Sequence, residues 1–204
     1  MTLVLTGNVL FAGFVLGSMF ALTKEPIDAA KANILQKAIR EVLPAFVHLK
    51  EPETVKIAGS GTFIVHRAFD QNHNFVGAAV ESSSKKGFSG EIKVMVGFDN
   101  EGNIVNYSVL EQKETPGLGT KMVDWFKPVA KSEKSLLEKM VGYEVKPVER
   151  KSSVIGKNPE RNKLSVTKDG GEIDAITAAT ISSRAFLETV QSAYEVYKKI
   201  NLYE

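Results

Sequence analysis

The run from Leu3 to Leu22, LVLTGNVLFAGFVLGSMFAL, holds no charged residue and dominates what this chain can become. A helix of that length spans about 30 Å, the thickness of a bilayer's hydrocarbon core. Asn8 is its one strongly polar side chain. Gly13, Gly17 and Ala21 recur every four residues and lay a smooth stripe on one face. That spacing suits close helix–helix packing, and equally the plain abundance of small residues in membrane helices. The competing reading is a cleaved secretory signal, which asks for a basic start, a shorter apolar core and a small-x-small cleavage site. No Lys or Arg precedes the run, and Phe20-Ala21-Leu22-Thr23 is a poor site. A retained single-pass anchor over residues 1–23 is therefore expected. Lys24, Lys31, Lys37 and Arg40 follow it; by charge alone they put the C-terminal side in the cytoplasm.

Pro26 suits the first turn of a second helix. Ile27, Ala30, Ile34, Ala38, Ile39 and Val42 then fall at helical spacing, and Pro44 ends the pattern. This predicts an amphipathic connecting helix within residues 24–50, and a separate domain over 51–204. In that domain the period changes to that of strands. Thr62–Phe69, Phe75–Val80, Glu91–Phe98 and Ile104–Leu110 are rich in Val, Ile and Phe. The turn sequences at 70–74 and 99–103 separate two pairs of them. Short turns between consecutive strands favour an antiparallel meander. A short helix is expected over Ser132–Met140 and a strand near Leu164–Thr167. Phe186, Val190, Ala193, Tyr197 and Ile200 mark a terminal helix that Thr180 or Ser182 can cap. The fold class is α+β, an antiparallel sheet packed with helices, plus one N-terminal transmembrane helix.

Composition narrows the chemistry. There is no Cys among 204 residues, which removes disulfides, thiolate nucleophiles and Cys-held iron–sulfur or zinc sites. Three His residues, His48, His66 and His73, are too few for a His-built centre and read as surface or turn residues. A net charge of +2 gives no support for a nucleic-acid surface. Redox chemistry in such a chain needs a cofactor that asks for none of these ligands.

Two stretches stand apart from a plain scaffold. Glu114-Thr115-Pro116-Gly117-Leu118-Gly119-Thr120 follows a strand, with Trp125 and Phe126 close behind. Two glycines around a leucine let a backbone fold tightly against a ligand while Leu118 lies on a flat apolar face; a simple surface turn reads the same way. Asp174-Ala175-Ile176-Thr177-Ala178-Ala179-Thr180-Ile181-Ser182-Ser183 gathers small residues and hydroxyls where the last helix begins. Such a start suits a phosphate, and equally a plain helix cap.

Taken together, one N-terminal span, Gly87-Phe88-Ser89-Gly90, Gly97-Phe98-Asp99, ETPGLG at 114–119 and DAITAATISS at 174–183 resemble the FMN-binding domain family. Within it they are most similar to the flavin subunits of Rnf-type ion-translocating electron-transport complexes. In that family the last Thr of an Asp-x-x-(Ser/Thr)-Gly-Ala-Thr motif carries FMN through a phosphoester. Asp174, Thr177, Ala179 and Thr180 match, so the resemblance implies covalent FMN on Thr180. Ala178 stands where the family has Gly; if that position needs φ > 0, the methyl group costs about 1 kcal/mol or more. Ile181, Ser182 and Ser183 become candidate phosphate neighbours, with the two serines as donors. Glu114, Thr115, Gly117, Leu118 and Gly119 become candidate flavin contacts. Trp125 has two open roles, stacking or core filling, and Lys121 two more, charge partner or solvated lysine.

The resemblance further implies a membrane-anchored electron relay between ferredoxin and NAD, an electron-transfer subunit of a redox-driven ion translocase. Its partners would be other membrane subunits of the complex, flavin and iron–sulfur subunits among them, with a flavin transferase for maturation. The soluble domain would lie on the extracytoplasmic side of the cell membrane, against the charge count above. The equivalent subunit of a Na⁺-translocating NADH:quinone reductase shares both motifs, and partner identity would separate the two. An anchored binding module without cofactor is the rival from another class; it leaves the pairing of the two motifs unexplained, and flavin fluorescence in a denaturing gel would exclude it.

Overall fold

The computed structural model describes residues 1–57, 61–128 and 151–201. The helix expected over Ser132–Met140 lies outside them. Two compact units result, Met1–Lys37 and Ala38–Glu204.

The first unit is helical. Helix α1 runs unbroken over Thr2–Val42 and passes through Pro26, where a separate helix was expected to start. Proline has no N–H, so the Leu22 carbonyl lacks its helical donor; the helix continues past that single gap. The helix is long and apolar enough to cross a membrane, and its apolar window is fully exposed. Of the expected amphipathic stripe, only Ala38, Ile39 and Val42 are buried, while Ile27 and Ile34 are each 49% exposed.

The second unit is built on a six-stranded antiparallel sheet. Its strands are β1 (His48–Leu49), β2 (Glu53–Ile57), β3 (Gly61–Phe69), β4 (Phe75–Ser84), β5 (Ile92–Asp99) and β6 (Ile104–Glu111). The main path is β1-β3-β4-β5-β6, and β2 pairs with the other half of β3. Hairpins β3–β4 and β5–β6 close with the same turn chemistry. Asp70 accepts the N–H groups of Asn72 and Asn74 and the Asn74 amide. Asp99 does the same for Glu101, Asn103 and the Asn103 amide. Side-chain acceptors of this kind replace a missing backbone partner in the turn.

Strand β4 extends four residues past its expected end, through Glu81-Ser82-Ser83-Ser84. Serines have weak strand preference, but full pairing with Ile92–Met95 overrides it. Alternation places Ser82 and Ser84, both buried, on the same face as Ala78 and Val80. Helix α2 (Met122–Trp125) follows the sheet, and helix α3 (Thr180–Asn201) ends the described chain. The core joins that sheet face to Phe186, Val190, Ala193 and Tyr197 of α3. Phe126 stacks on Phe186 at 4.4 Å between centroids, and Tyr107 meets the same ring edge-on.

The opposite face receives the end of α1. A side chain at Gly97 would collide with the Val42 carbonyl, so the bare backbone there admits the helix. Asn106 donates to the Glu41 carbonyl at 3.1 Å, and Lys127 pairs with the Glu41 carboxylate at 2.9 Å. His66, expected at the surface, is buried and bonds Glu81 at 3.0 Å. It sits in the middle of β3 rather than at a turn; His73 does occupy a turn, at φ +61°. The strand expected near Leu164–Thr167 reduces to one bridge, Val166 with Ile173, beside a 3-10 turn at Thr167–Asp169. Gly170, at φ +72°, reverses the chain there before a longer strand can form.

Candidate functional site

The two singled-out stretches meet. The first begins where β6 ends and is held by the core at its far side: the buried Tyr107 hydroxyl donates to the Met122 carbonyl at 2.7 Å. Between these anchors the chain turns at Thr115-Pro116-Gly117-Leu118, with the Leu118 N–H on the Thr115 carbonyl at 3.1 Å. Pro at the second position and Gly at the third, with φ +74°, give the pattern of a type II turn. The Thr120 hydroxyl accepts the Gly117 N–H at 3.0 Å and stiffens the loop.

The second stretch makes the same kind of turn. The Ala179 N–H bonds the Ile176 carbonyl at 2.9 Å, and Ala178 takes the third position at φ +62°. Ala178 thus occupies the left-handed region with a Cβ, where Gly117 occupies it without one. Helix α3 then starts. The Ala179 carbonyl accepts both the Ser183 N–H and the Ser183 hydroxyl, so Ala179 holds the cap position expected of Thr180 or Ser182.

Thr180 is half-buried, and its hydroxyl has no hydrogen bond among the described residues. The N–H groups of Thr180, Ile181 and Ser182 likewise meet no acceptor among them. Three unsatisfied donors at the positive end of a 22-residue helix suit an anion. The serine hydroxyls, expected as phosphate donors, are committed elsewhere. Ser183 accepts the Ile176 N–H and donates to Ala179; Ser182 donates to Glu114 Oε2 at 2.7 Å. Burial forces this, because a hydroxyl shut away from water takes whatever acceptor its own fold supplies.

Glu114 is the junction. Only 4% exposed, it accepts Ser182 on one oxygen and the Ser89 N–H on the other at 3.2 Å. Its own N–H donates to Gln112 Oε1 at 2.6 Å. Glu114, Gly119 and Ser182 therefore form the floor of the site. Around them stand exposed apolar side chains: Phe88 at 68%, Leu118 at 38% and Ile181 at 49%. Phe88 carries no role in the sequence reading above; the signal that marks it is an aromatic flanked by Gly87 and Ser89-Gly90 in the loop after β4.

The remaining candidates divide. Thr177 and Ala178 are exposed beside Thr180, and Thr115 is half-buried at the turn. Asp174 ties two segments: its carboxylate accepts the Lys151 N–H at 2.9 Å and its carbonyl accepts Trp125 Nε1 at 3.0 Å. Trp125 is partly buried against the core. Lys121 is exposed, with no ion pair among the described residues. An open cleft of about 490 Å³ lies further along α3, between Leu164, Val166, Asp169, Arg184 and Leu187, and excludes Thr180. The bidentate Arg184–Asp169 pair, at 2.7 and 2.8 Å, borders it.

Comparison with known proteins covers these segments. The family model of the FMN-binding domain matches residues 87–195, just over half of the chain. The chain is 30% identical over 186 residues to the G subunit of the ion-translocating oxidoreductase complex of Aliivibrio fischeri (strain ATCC 700601 / ES114), covering 88% of this chain and 80% of that protein. The protein of the same name from Yersinia pestis is 31% identical over 184 residues, covering 85% and 77%. That from Pectobacterium atrosepticum is 30% identical over 178 residues, covering 82% and 75%. The matched span opens at Gly87, runs through Glu114 and the turn at Ala178, and closes within α3, so the chain belongs to the FMN-binding domain family.

Proposed function

We propose that this protein is the flavin-carrying subunit of a membrane-bound, ion-translocating oxidoreductase complex, with FMN joined through its phosphate to the Thr180 hydroxyl. The observation that carries the attachment is local. Thr180 is the one hydroxyl of the DAITAATISS stretch that lies at the helix start, half-buried, beside N–H groups that, like the hydroxyl itself, meet no partner among the described residues. A phosphate there meets the Thr180, Ile181 and Ser182 N–H groups and the positive end of α3. Phe88, Leu118 and Ile181 offer an apolar surface within reach of it.

Bound FMN supplies one- and two-electron redox chemistry, and the chain's own residues hold and shield it. No acid–base residue is required of this chain for outer-sphere electron transfer. Residues 3–22 anchor the domain in the cell membrane, and the domain lies on the extracytoplasmic side, where a covalent tether prevents cofactor loss. A single span offers no path of polar groups for an ion, so transport and the rest of the electron path belong to partner subunits, flavin and iron–sulfur proteins among them. The relatives are each named as one subunit of an ion-translocating oxidoreductase complex, which supports membership of such an assembly.

The test is a denaturing gel of the protein made in cells with a flavin transferase. The wild-type band is expected to fluoresce, and Thr180→Val to be dark with its melting temperature within about 3 °C of wild type. A bright Thr180→Val band places the linkage elsewhere, and a dark wild-type band removes the attachment.

A further inference from the structure

We propose that Glu114 is the positioning residue of the flavin site, the shared acceptor that sets where Phe88, Leu118 and Ile181 stand around Thr180. The inference rests on the flavin reading above and goes beyond it by giving Glu114 a role that is not contact with the cofactor.

Three segments far apart in sequence converge on one carboxylate. Oε1 accepts the Ser89 N–H, and that nitrogen is bonded directly to the carbonyl carbon of Phe88. Oε2 accepts the Ser182 hydroxyl, one residue past Ile181. A Cβ on Gly119, one residue past Leu118, would lie 2.7 Å from Oε2 and 2.8 Å from Ser182 Oγ. A Cβ on Gly87 would lie 2.6 Å from Oε1. Each exposed apolar residue is thus the immediate chain neighbour of a residue fitted to the Glu114 carboxylate, and both glycines leave room for its oxygens.

No cation lies within ion-pair distance of Glu114 among the described residues. Its compensation comes from two directed donors and the N-terminal end of α3. A buried carboxylate without a counter-ion is costly, and an apolar side chain of similar size would pack the same space at lower cost. What an apolar replacement cannot do is accept from two segments at once and hold both at hydrogen-bond length. A flat apolar ring needs its contact surfaces at fixed spacing, and two loops and a helix start have fixed spacing only if something joins them.

The experiment uses the full-length protein, co-produced with a flavin transferase and purified in mild detergent, as wild type, Glu114→Ala and Glu114→Gln. Flavin per chain is read from the fluorescent band; order at the site is read from the visible circular dichroism and fluorescence anisotropy of the attached flavin. Glu114→Ala is expected to lose at least five-fold in flavin dichroism, with lower anisotropy. Glu114→Gln keeps the shape and an acceptor for Ser89, and is expected to recover more than half. A structural role alone would lower the melting temperature of Glu114→Ala and leave the dichroism per bound flavin unchanged; that result overturns the proposal, as does a Gln variant no better than Ala. Should Glu114→Ala lose cooperative melting, Ser182→Ala decides, with at least a two-fold fall in dichroism expected and an unchanged signal overturning it. A dark wild-type band removes the flavin reading and this proposal together, whereas a bright wild type with an indifferent Glu114→Ala removes only the proposal.

Discussion

Ala178→Gly should make this protein more stable. The residue sits at φ +62° in the turn Ile176–Ala179, and its side chain is exposed. With the methyl group exposed, the substitution acts chiefly on the backbone. An L-residue held in the left-handed region costs about 1–2 kcal/mol. Glycine removes that strain but adds freedom to the unfolded chain, worth about 0.5–1 kcal/mol in the other direction. The two ranges leave a net gain of about 0–1.5 kcal/mol, with midpoints that differ by about 0.75 kcal/mol in favour of glycine. For a chain of this size 1 kcal/mol moves the melting temperature by about 2–4 °C, so Ala178→Gly should raise it by about 1–4 °C. Ala178→Val should lower it, since a β-branched residue at positive φ is more strained than Ala. Both are read by thermal unfolding of the flavin-free protein in one detergent. A lower melting temperature for Ala178→Gly, or a Val variant equal to wild type, would refute the claim that this turn stores backbone strain.

Other perturbations test other joints. Gly119→Ala puts a methyl group 2.7 Å from the Glu114 Cβ and should destabilise by about 1–3 kcal/mol, read as a lower denaturation midpoint with unchanged slope. The Arg184 hydrogen bond beside Asp169 holds that carboxyl below its ordinary value of 3.8. A depressed carboxyl adds stability that is present above the unfolded value and is lost as pH falls through the folded one. Asp169→Asn should therefore flatten the loss of stability below about pH 4, measured as melting temperature against pH, and an unchanged acid slope would show that the exposed pair adds nothing.

The sheet was readable because its strands carry dense Val, Ile and Phe between turns that announce themselves, as Asp70 and Asp99 do. The extension of β4 was not, because Ser82-Ser83-Ser84 reads as a loop and only pairing with β5 makes it a strand. Residue types show propensity, whereas partners come from tertiary structure. The continuity of α1 past Pro26 escaped for a related reason. A proline marks a missing N–H, and the sequence does not say whether the helix stops there. At the site, the two motifs were visible and so was the odd Ala178. Hidden from sequence was that Ser182 and Glu114 satisfy each other. Both look like ligand groups when each is considered alone, and the sequence does not show that they bond each other in a buried place. Phe88 was legible as an aromatic between glycines, yet nothing in the sequence says that the β4–β5 loop reaches Glu114.

The site thus answers two opposing demands with two layers. An electron carrier must leave its cofactor accessible; under the proposed attachment at Thr180 the apolar side chains beside it are uncovered, and Phe88 at 68% exposed is the extreme case. Uncovered apolar residues on two loops and a helix start gain little from their own packing, which by itself does not fix their spacing. Order must then come from below, through hydrogen bonds that tie the segments together. Glu114 with Ser89 and Ser182 supplies it on one side, and Asp174 with Lys151 and Trp125 on the other. The first joint depends on a charge and the second largely on backbone groups, so they should fail differently. Changes at Glu114 should loosen the apolar rim and leave the core intact, whereas Trp125→Phe, which deletes the donor to the Asp174 carbonyl, should act first on stability.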